Sequence, residues 1–548
     1  MQSNHIHNFL WTLAALSAAA PAMASVADHR EFGATLHAPY QGDKVDSGAR
    51  TFTLTFDYPM PRAAHPVDWR VELIAPSGKK VQQWRGALTL KGRTATVNLK
   101  WGGRRNAASM PDGVYRVRMR AGAYGEVIEQ SWGIAVGKLA AASMPPFGAM
   151  ATGPASSAAR GPLQPSAAPS AASLPFTVYF ANLHSQTNHS DGGGDLASCI
   201  GAQAPQGGAQ GPLEAYNFAK ARGLDVLVAS EHNHMYDGSD GSNPEASADT
   251  AKLLYQRGLA AAAGFSEVNP GFLALYGLEW GVINNGGHLN IFNASELLAW
   301  ERDAKGELIG DTLTTKGDYG ALYSLMRQRK WVGQFNHPSI GGQFIVNGAA
   351  MGYTKDGDEA MALCEVLNTS AFSTNTQEGE TRRSNFEMAC NKALEAGYHV
   401  AFSSNQDNHC ANWGASYTNR TGVLIPNGTV LTQASFIEAL KARRVFATMD
   451  KNSQLVLTAN GHPMGSRITN SGSLRLIANY ANTEGRTVAS VSIIEGVPGR
   501  NGTVSEAAST ADATITPAPG EHFYYARITQ DDGKILWSAP VWVSQQAD

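Results

Sequence analysis

Imidazoles and carboxylates recur at the ends of apolar runs between His184 and His409. They stand in NLHSQTNHSDG (182–192), VASEHNH (228–234), YGLEWG (276–281), GHLNIF (287–292), FNHP (335–338) and SNQDNH (404–409). Catalytic divalent cations take these two ligand types and keep a position open for water. His184 follows the strand-like run TVYFAN, His232 ends LDVLVASEH and Glu279 ends FLALYGLE. His288 begins an apolar run and His337 ends WVGQFNH. Asp407 and His409 are two apart, so an extended chain would aim both at one site. Ligands this scattered converge only if several strands deliver their ends to one place.

The elements that must do so lie within residues 176–450. Strand-like FTVYFANL, LDVLVASEH, FLALYGLEWG, WVGQFNHP and YHVAFSSNQD alternate with helix-like PLEAYNFAKARG, YGALYSLMRQRK and FEMACNKALEAG. Repeated βα units predict a parallel barrel or an open α/β sheet. Residues 31–138 read as an N-terminal β-sandwich, with TFTLTFDY, WRVELIAP, TATVNLKW and VYRVRMRA separated by turn formers. Residues 139–175 are almost all Ala, Pro, Ser, Gly and Met, which predicts a flexible linker. Residues 451–548 return to strand patterns and predict a C-terminal β-sandwich.

A chain of 548 residues exceeds one ordinary domain. Its formal charge of -3 argues against nucleic acid or a membrane surface as an electrostatic partner. Residues 1–24 read as a signal peptide, with an apolar run Phe9–Ala20 and Ala22-Met23-Ala24 before the cut, so a periplasmic or secreted protein is expected. No membrane span is expected beyond it. Four cysteines leave two readings, a Cys199–Cys410 disulfide between the first and last ligand loops or four free thiols. No CxxC pair suggests a cysteine-based zinc site.

The ordered motifs resemble the PHP (polymerase and histidinol phosphatase) superfamily, and within it the exported CehA/McbA-like metallohydrolases. The resemblance covers roughly residues 176–450. It implies a distorted (β/α)7 barrel flanked by the two β-sandwiches, and two or three divalent ions, Zn, Mn or Fe. It implies His184, Gln186, Asp191, His232, Glu279, His288, His337, Asp407 and His409 as metal ligands, with Glu279 bridging two ions. Gln186 stands where the family has the second His of an HxH pair, and Glu231 where it has Asp. A neutral amide is the weaker ligand.

Glu279, Asp407 and Glu231 are the expected catalytic residues, Glu231 as outer partner or proton acceptor. His189, Asn233 and His234 lie inside the motifs as candidate contacts to a small-molecule ester substrate. The expected function is an exported metal-dependent phosphoesterase using a metal-activated water. Carbamate or carboxylic ester hydrolysis on the same metal core is the second reading, since the ligand motifs hold no Lys or Arg. A non-catalytic, secreted metal-binding or adhesion module is the third. No G-x-S-x-G elbow, P-loop or dinucleotide fingerprint offers a different chemistry.

Overall fold

The computed structural model describes residues 32–42, 48–58, 64–92, 94–103, 110–123, 125–160, 173–282, 286–338, 345–346, 349–350, 352–369, 371–379 and 383–547. The expected leader 1–24 lies outside the described residues, as do positions 161–172 of the expected linker.

Period-two alternation builds the N-terminal region. Strands Gly33–His37, Arg50–Asp57 and Thr94–Trp101 form one antiparallel sheet. Lys80–Leu90, His65–Ile74, Gly113–Ala123 and Glu126–Val136 form another. Phe52, Leu54 and Phe56 face inward from the first, Tyr115, Val117 and Met119 from the second. Aromatic contacts join the two faces, with Phe52 edge-on to Trp84 at 5.8 Å and Trp101 beside Tyr115 at 6.4 Å.

The expected (β/α)7 barrel with a separate C-terminal sandwich does not form. Seven α-helices stand against thirty-two strands among the described residues, so sheet dominates. Seventeen of those strands close into one mixed sheet. Parallel pairing joins Val226–His232 to both Phe176–Asn182 and Leu273–Val282, and Met361–Thr369 to Ala401–Asn405. The βα alternation then breaks. Leu273–Val282 turns back on Gly287–Ile291, which pairs antiparallel with Gly333–Phe335. Residues 283–286 are far too few for the crossover that a parallel neighbour requires. Arg420–Pro426 runs antiparallel to Phe176–Asn182 and to Val445–Thr448.

The same sheet continues into the C-terminal region, because Phe446, Ala447 and Thr448 pair with Ser538, Trp537 and Leu536. Backbone pairing thus fuses what the sequence reads as two units. A four-stranded antiparallel sheet built on Ser453–Ala459 and Leu474–Asn482 completes that region.

The stretch after residue 139, expected to be flexible, is pinned at several points. Ala142 N–H donates to Val488 O at 2.8 Å. Gln454 exchanges two side-chain hydrogen bonds with the Met150 backbone, at 2.8 and 2.9 Å. Ala151–Thr152 adds a short parallel strand beside Phe176–Asn182. A low-bulk segment lacks a core of its own, but its backbone groups still find partners on a neighbouring sheet. Two disulfides form, Cys199–Cys410 and Cys364–Cys390, and no described cysteine is free. Among the described residues no helix is long and apolar enough to cross a membrane.

Candidate metal centre

Register, more than loop shape, brings the site together. His232 lies directly beside Glu279 in the parallel pair. Across the antiparallel pair His288 faces Gly281, two residues on from Glu279 and so on the same face of the sheet. The loop after Phe176–Asn182 is laced to the 407–409 segment by Asp407 N–H to His184 O at 2.8 Å and Gln186 N–H to Asn408 O at 3.0 Å. A Cβ on Gly192 would collide with Gln186, so a glycine lets the Asp191 turn close on that residue. Gly194 N–H donates to His409 O, and the Cys199–Cys410 disulfide fastens the same two loops covalently. His337 (φ 24°) and Asp407 (φ 48°) hold left-handed backbone, a strained state for side-chain-bearing residues that gathers at functional sites.

Three overlapping triads result, each with donor atoms within 4.8 Å of one another: His184, Glu279 and His337; His232, Glu279 and His288; Asp191, His232 and His409. The two Glu279 oxygens address different neighbours. Oε2 lies 2.9 Å from His184 Nε2 and 3.7 Å from His232 Nε2. Oε1 lies 3.0 Å from His288 Nδ1 and 3.3 Å from His337 Nε2. Asp407 Oδ1 is 3.1 Å from His184 Nε2, and Asp191 Oδ2 is 3.5 Å from His409 Nε2. All these side chains are buried except that of His337, 11% exposed, which marks where the centre opens.

Burial by itself would push the Glu279 carboxyl up, yet the imidazoles of His184, His232 and His288 hold it well below the usual carboxylate range. Burial likewise opposes charge on His184, and Asp407, Glu279 and Glu365 override it and raise its pKa. So dense a set of buried ionisable groups is costly unless its charges are matched. Imidazole and carboxylate donors suit Zn, Mn or Fe. Gln186 adds a second sign of fit, since its buried Oε1 has no hydrogen-bond partner among the described residues. Its Nε2 donates to Glu279 Oε2 at 2.5 Å and lies 3.5 Å from Asp407 Oδ1. The amide N–H thus stands where positive charge is wanted, and rotating the amide would offer Oε1 to a cation there. Gln186→His should tighten cation binding at this position about 10–100-fold. Chelator competition measures it, and unchanged affinity and stoichiometry would count against Gln186 as a ligand.

The other sequence candidates sit around the centre. Glu231 turns into the 187–190 loop, accepting from Thr187 N–H at 3.0 Å, Thr187 Oγ1 at 2.5 Å and Ser190 Oγ at 2.6 Å. Burial pushes its carboxyl up to about 7 against those hydrogen bonds. It therefore braces the loop that carries His184 and Asp191. Asn233 donates to Leu298 O and also stands apart from the triads. His234 lies 5.7 Å from His232, stacked on Trp300. His189 meets Tyr276 OH at 2.6 Å, and burial with the nearby Arg257 lowers its pKa to about 4.

Sequence reasoning missed Glu365. It is fully buried in Met361–Thr369, 3.1 Å from His184 Nδ1, and it accepts the His337 N–H at 2.7 Å. Asn336 donates to Glu279 Oε1 at 2.8 Å. A lone Glu inside the apolar run MALCEVL was the available signal, because a buried carboxylate needs partners.

No family model and no curated protein matches the chain. Among solved structures it overlays a glycosyl hydrolase family 2 member from Bacteroides cellulosilyticus DSM 14838 at 10% identity and TM-score 0.15, covering 95% of this chain and 64% of that one. A putative beta-galactosidase from Bacteroides fragilis gives 10% identity and TM-score 0.15, covering 94% and 74%. An FMN-binding beta-glucuronidase from Facaelibacterium prausnitzii L2-6 gives 10% identity and TM-score 0.17, covering 94% and 73%. The chain thus spans under two thirds of the first of these proteins, and overlays this weak fix neither fold nor activity.

Proposed function

We propose that this chain is a metal-dependent hydrolase of ester bonds, with phosphoesters as its first substrate class. The observation that carries this reading is the Glu279 carboxylate, fully buried, with each oxygen turned to a different set of imidazoles. Two or three divalent ions held by the triads would supply the acidity that makes water a nucleophile near neutral pH. The chain's own part is positional. Glu365 and Asn336 fix His184, His337 and Glu279 in orientation, and the surrounding burial excludes bulk water. The order of the ligand motifs supports kinship with PHP-type hydrolases, a kinship carried by the site and not by a (β/α)7 barrel.

Carbamate or carboxylic ester hydrolysis is the second reading. It is favoured by one observation: the motifs 182–192, 228–234, 276–281, 287–292, 335–338 and 404–409 contain no Lys or Arg, the usual partners of a phosphate's added charge. The test is elemental analysis of the purified protein beside hydrolysis of bis-nitrophenyl phosphate, nitrophenyl phosphate and nitrophenyl acetate, with and without chelator. Bound metal and chelator-sensitive turnover support the hydrolase, and the preferred ester selects the class. Protein that stays inert after loading with Zn, Mn or Fe would be a metal-binding module instead.

A further inference from the structure

A cleft of about 550 Å³ lies away from the metal centre, where the N-terminal sheet meets helix Glu387–Ala396 and strand Gly520–Gln530. Its size is that of a small-molecule site. Alternation along Gly113–Ala123 sends Tyr115 and Val117 into the core and leaves Arg116 and Arg118 on the cleft side. Arg527 reaches the cleft from the facing strand, so three guanidiniums share one space.

The carboxylates there are already committed. Glu387 takes the Arg527 guanidinium at 3.1 Å and the Tyr525 hydroxyl at 2.8 Å. Glu129 binds Arg118 at 3.1 Å and Arg120 at 2.6 Å. Glu395 accepts from the Thr503 and Val504 N–H groups, and Glu506 accepts from Ser492. Arg116 and Lys392 line the same cleft and have no hydrogen bond or ion pair among the described residues. Arg116 and Lys392 are exposed to the cleft; desolvation and the positive Arg527 and Arg118 lower the Arg116 pKa, while Glu387 and Glu506 raise it. Asn391 donates to Tyr525 OH at 3.2 Å, while its buried Oδ1 has no hydrogen-bond partner among the described residues.

We propose that this cleft binds a small polyhydroxylated oxyanion, a carboxylate or phosphate monoester, with Arg116 and Lys392 on the anionic group and Asn391 Oδ1 on a hydroxyl. Arg116 presents a planar fork suited to either oxyanion. The site is separate from the proposed hydrolytic centre and stands whether or not that reading holds.

Calorimetric titration of the full chain with glucose 6-phosphate, gluconate and uncharged glucose tests it. Saturable binding of at least one anion, little binding of glucose, and an affinity about tenfold weaker in Arg116→Gln are expected, the loss of one charge-assisted hydrogen bond. Lys392→Gln should weaken the same anion. Whether the phosphate or the carboxylate binds more tightly identifies the ligand class. No saturable binding of either anion overturns the proposal. So does binding that survives unchanged in Arg116→Gln, which would place the anion outside this cleft.

Discussion

Replacing Glu279 by Gln should cut hydrolysis by at least about a thousandfold and lower the bound metal, while the chain stays folded. Two of the three donor triads contain this carboxylate, so both lose their anionic member together. Losing metal-assisted stabilisation of a reacting oxygen costs several kcal/mol, which sets the size of the fall. The amide keeps the side chain's volume and can still accept from Asn336, which now donates to Oε1 at 2.8 Å. Packing is thus preserved and charge removed. Turnover on the preferred ester, metal content and the thermal midpoint should be read on one preparation. Wild-type turnover in a folded Glu279→Gln variant would remove Glu279 from the chemistry. Lost turnover with full metal content would leave it a role in catalysis but not in metal binding.

The site was far more legible in the sequence than the fold around it. Residue type and position at an end of an apolar run marked His184, His232, Glu279, His288, His337, Asp407 and His409, and the structure brings all seven to one place. Strand direction leaves no such mark. FLALYGLEWG and GHLNIF read equally well as parallel neighbours or as a hairpin, and only the four residues between Val282 and Gly287 decide for the hairpin. Reading βα alternation through that short connection produced a barrel that does not form. The fusion of Val445–Thr448 with Ile535–Ser538 was equally hidden, since nothing local signals a pairing between strands some ninety residues apart.

Orientation was the second thing the sequence withheld. Glu231 and His232 are adjacent, and alternation along Val226–His232 sends them to opposite faces. His232 goes to the metal triads, and Glu231 goes to Thr187 and Ser190. Of the two roles expected for Glu231, outer partner or proton acceptor, its contacts to Thr187 and Ser190 fit the outer partner. The disulfides show the reverse case. Of the two readings left open for Cys199 and Cys410 the structure has the bridge, and it joins loops that His184, Asp191 and His409 independently require to be close.

Glu365→Gln should weaken cation binding about 10–100-fold without unfolding the chain, the range seen when an outer partner of a metal-binding His is lost. In the structure His184 Nδ1–H donates to Glu365 Oε1 at 3.1 Å, which leaves Nε2 directed at Glu279 and Asp407. The other Glu365 oxygen accepts the His337 N–H at 2.7 Å, so one carboxylate holds two ligands in loops that follow different strands. Asn405 Nδ2 adds a third donor at 3.0 Å. A Gln can accept through only one of its two positions. If its oxygen serves His337, its NH₂ faces His184 Nδ1, which must then accept, and the ring's proton moves to Nε2 where a ligand lone pair is needed. If its oxygen serves His184, its NH₂ meets the His337 N–H donor to donor. Either choice spoils one ligand, whereas a side chain that only filled space would tolerate so close an isostere. Chelator competition separates these cases, because a purely structural residue would shift the thermal midpoint and leave cation affinity alone. Wild-type cation affinity in Glu365→Gln would overturn the positioning role. A weakened affinity with an unchanged fold would make Glu365 part of the metal centre that the sequence alone did not disclose.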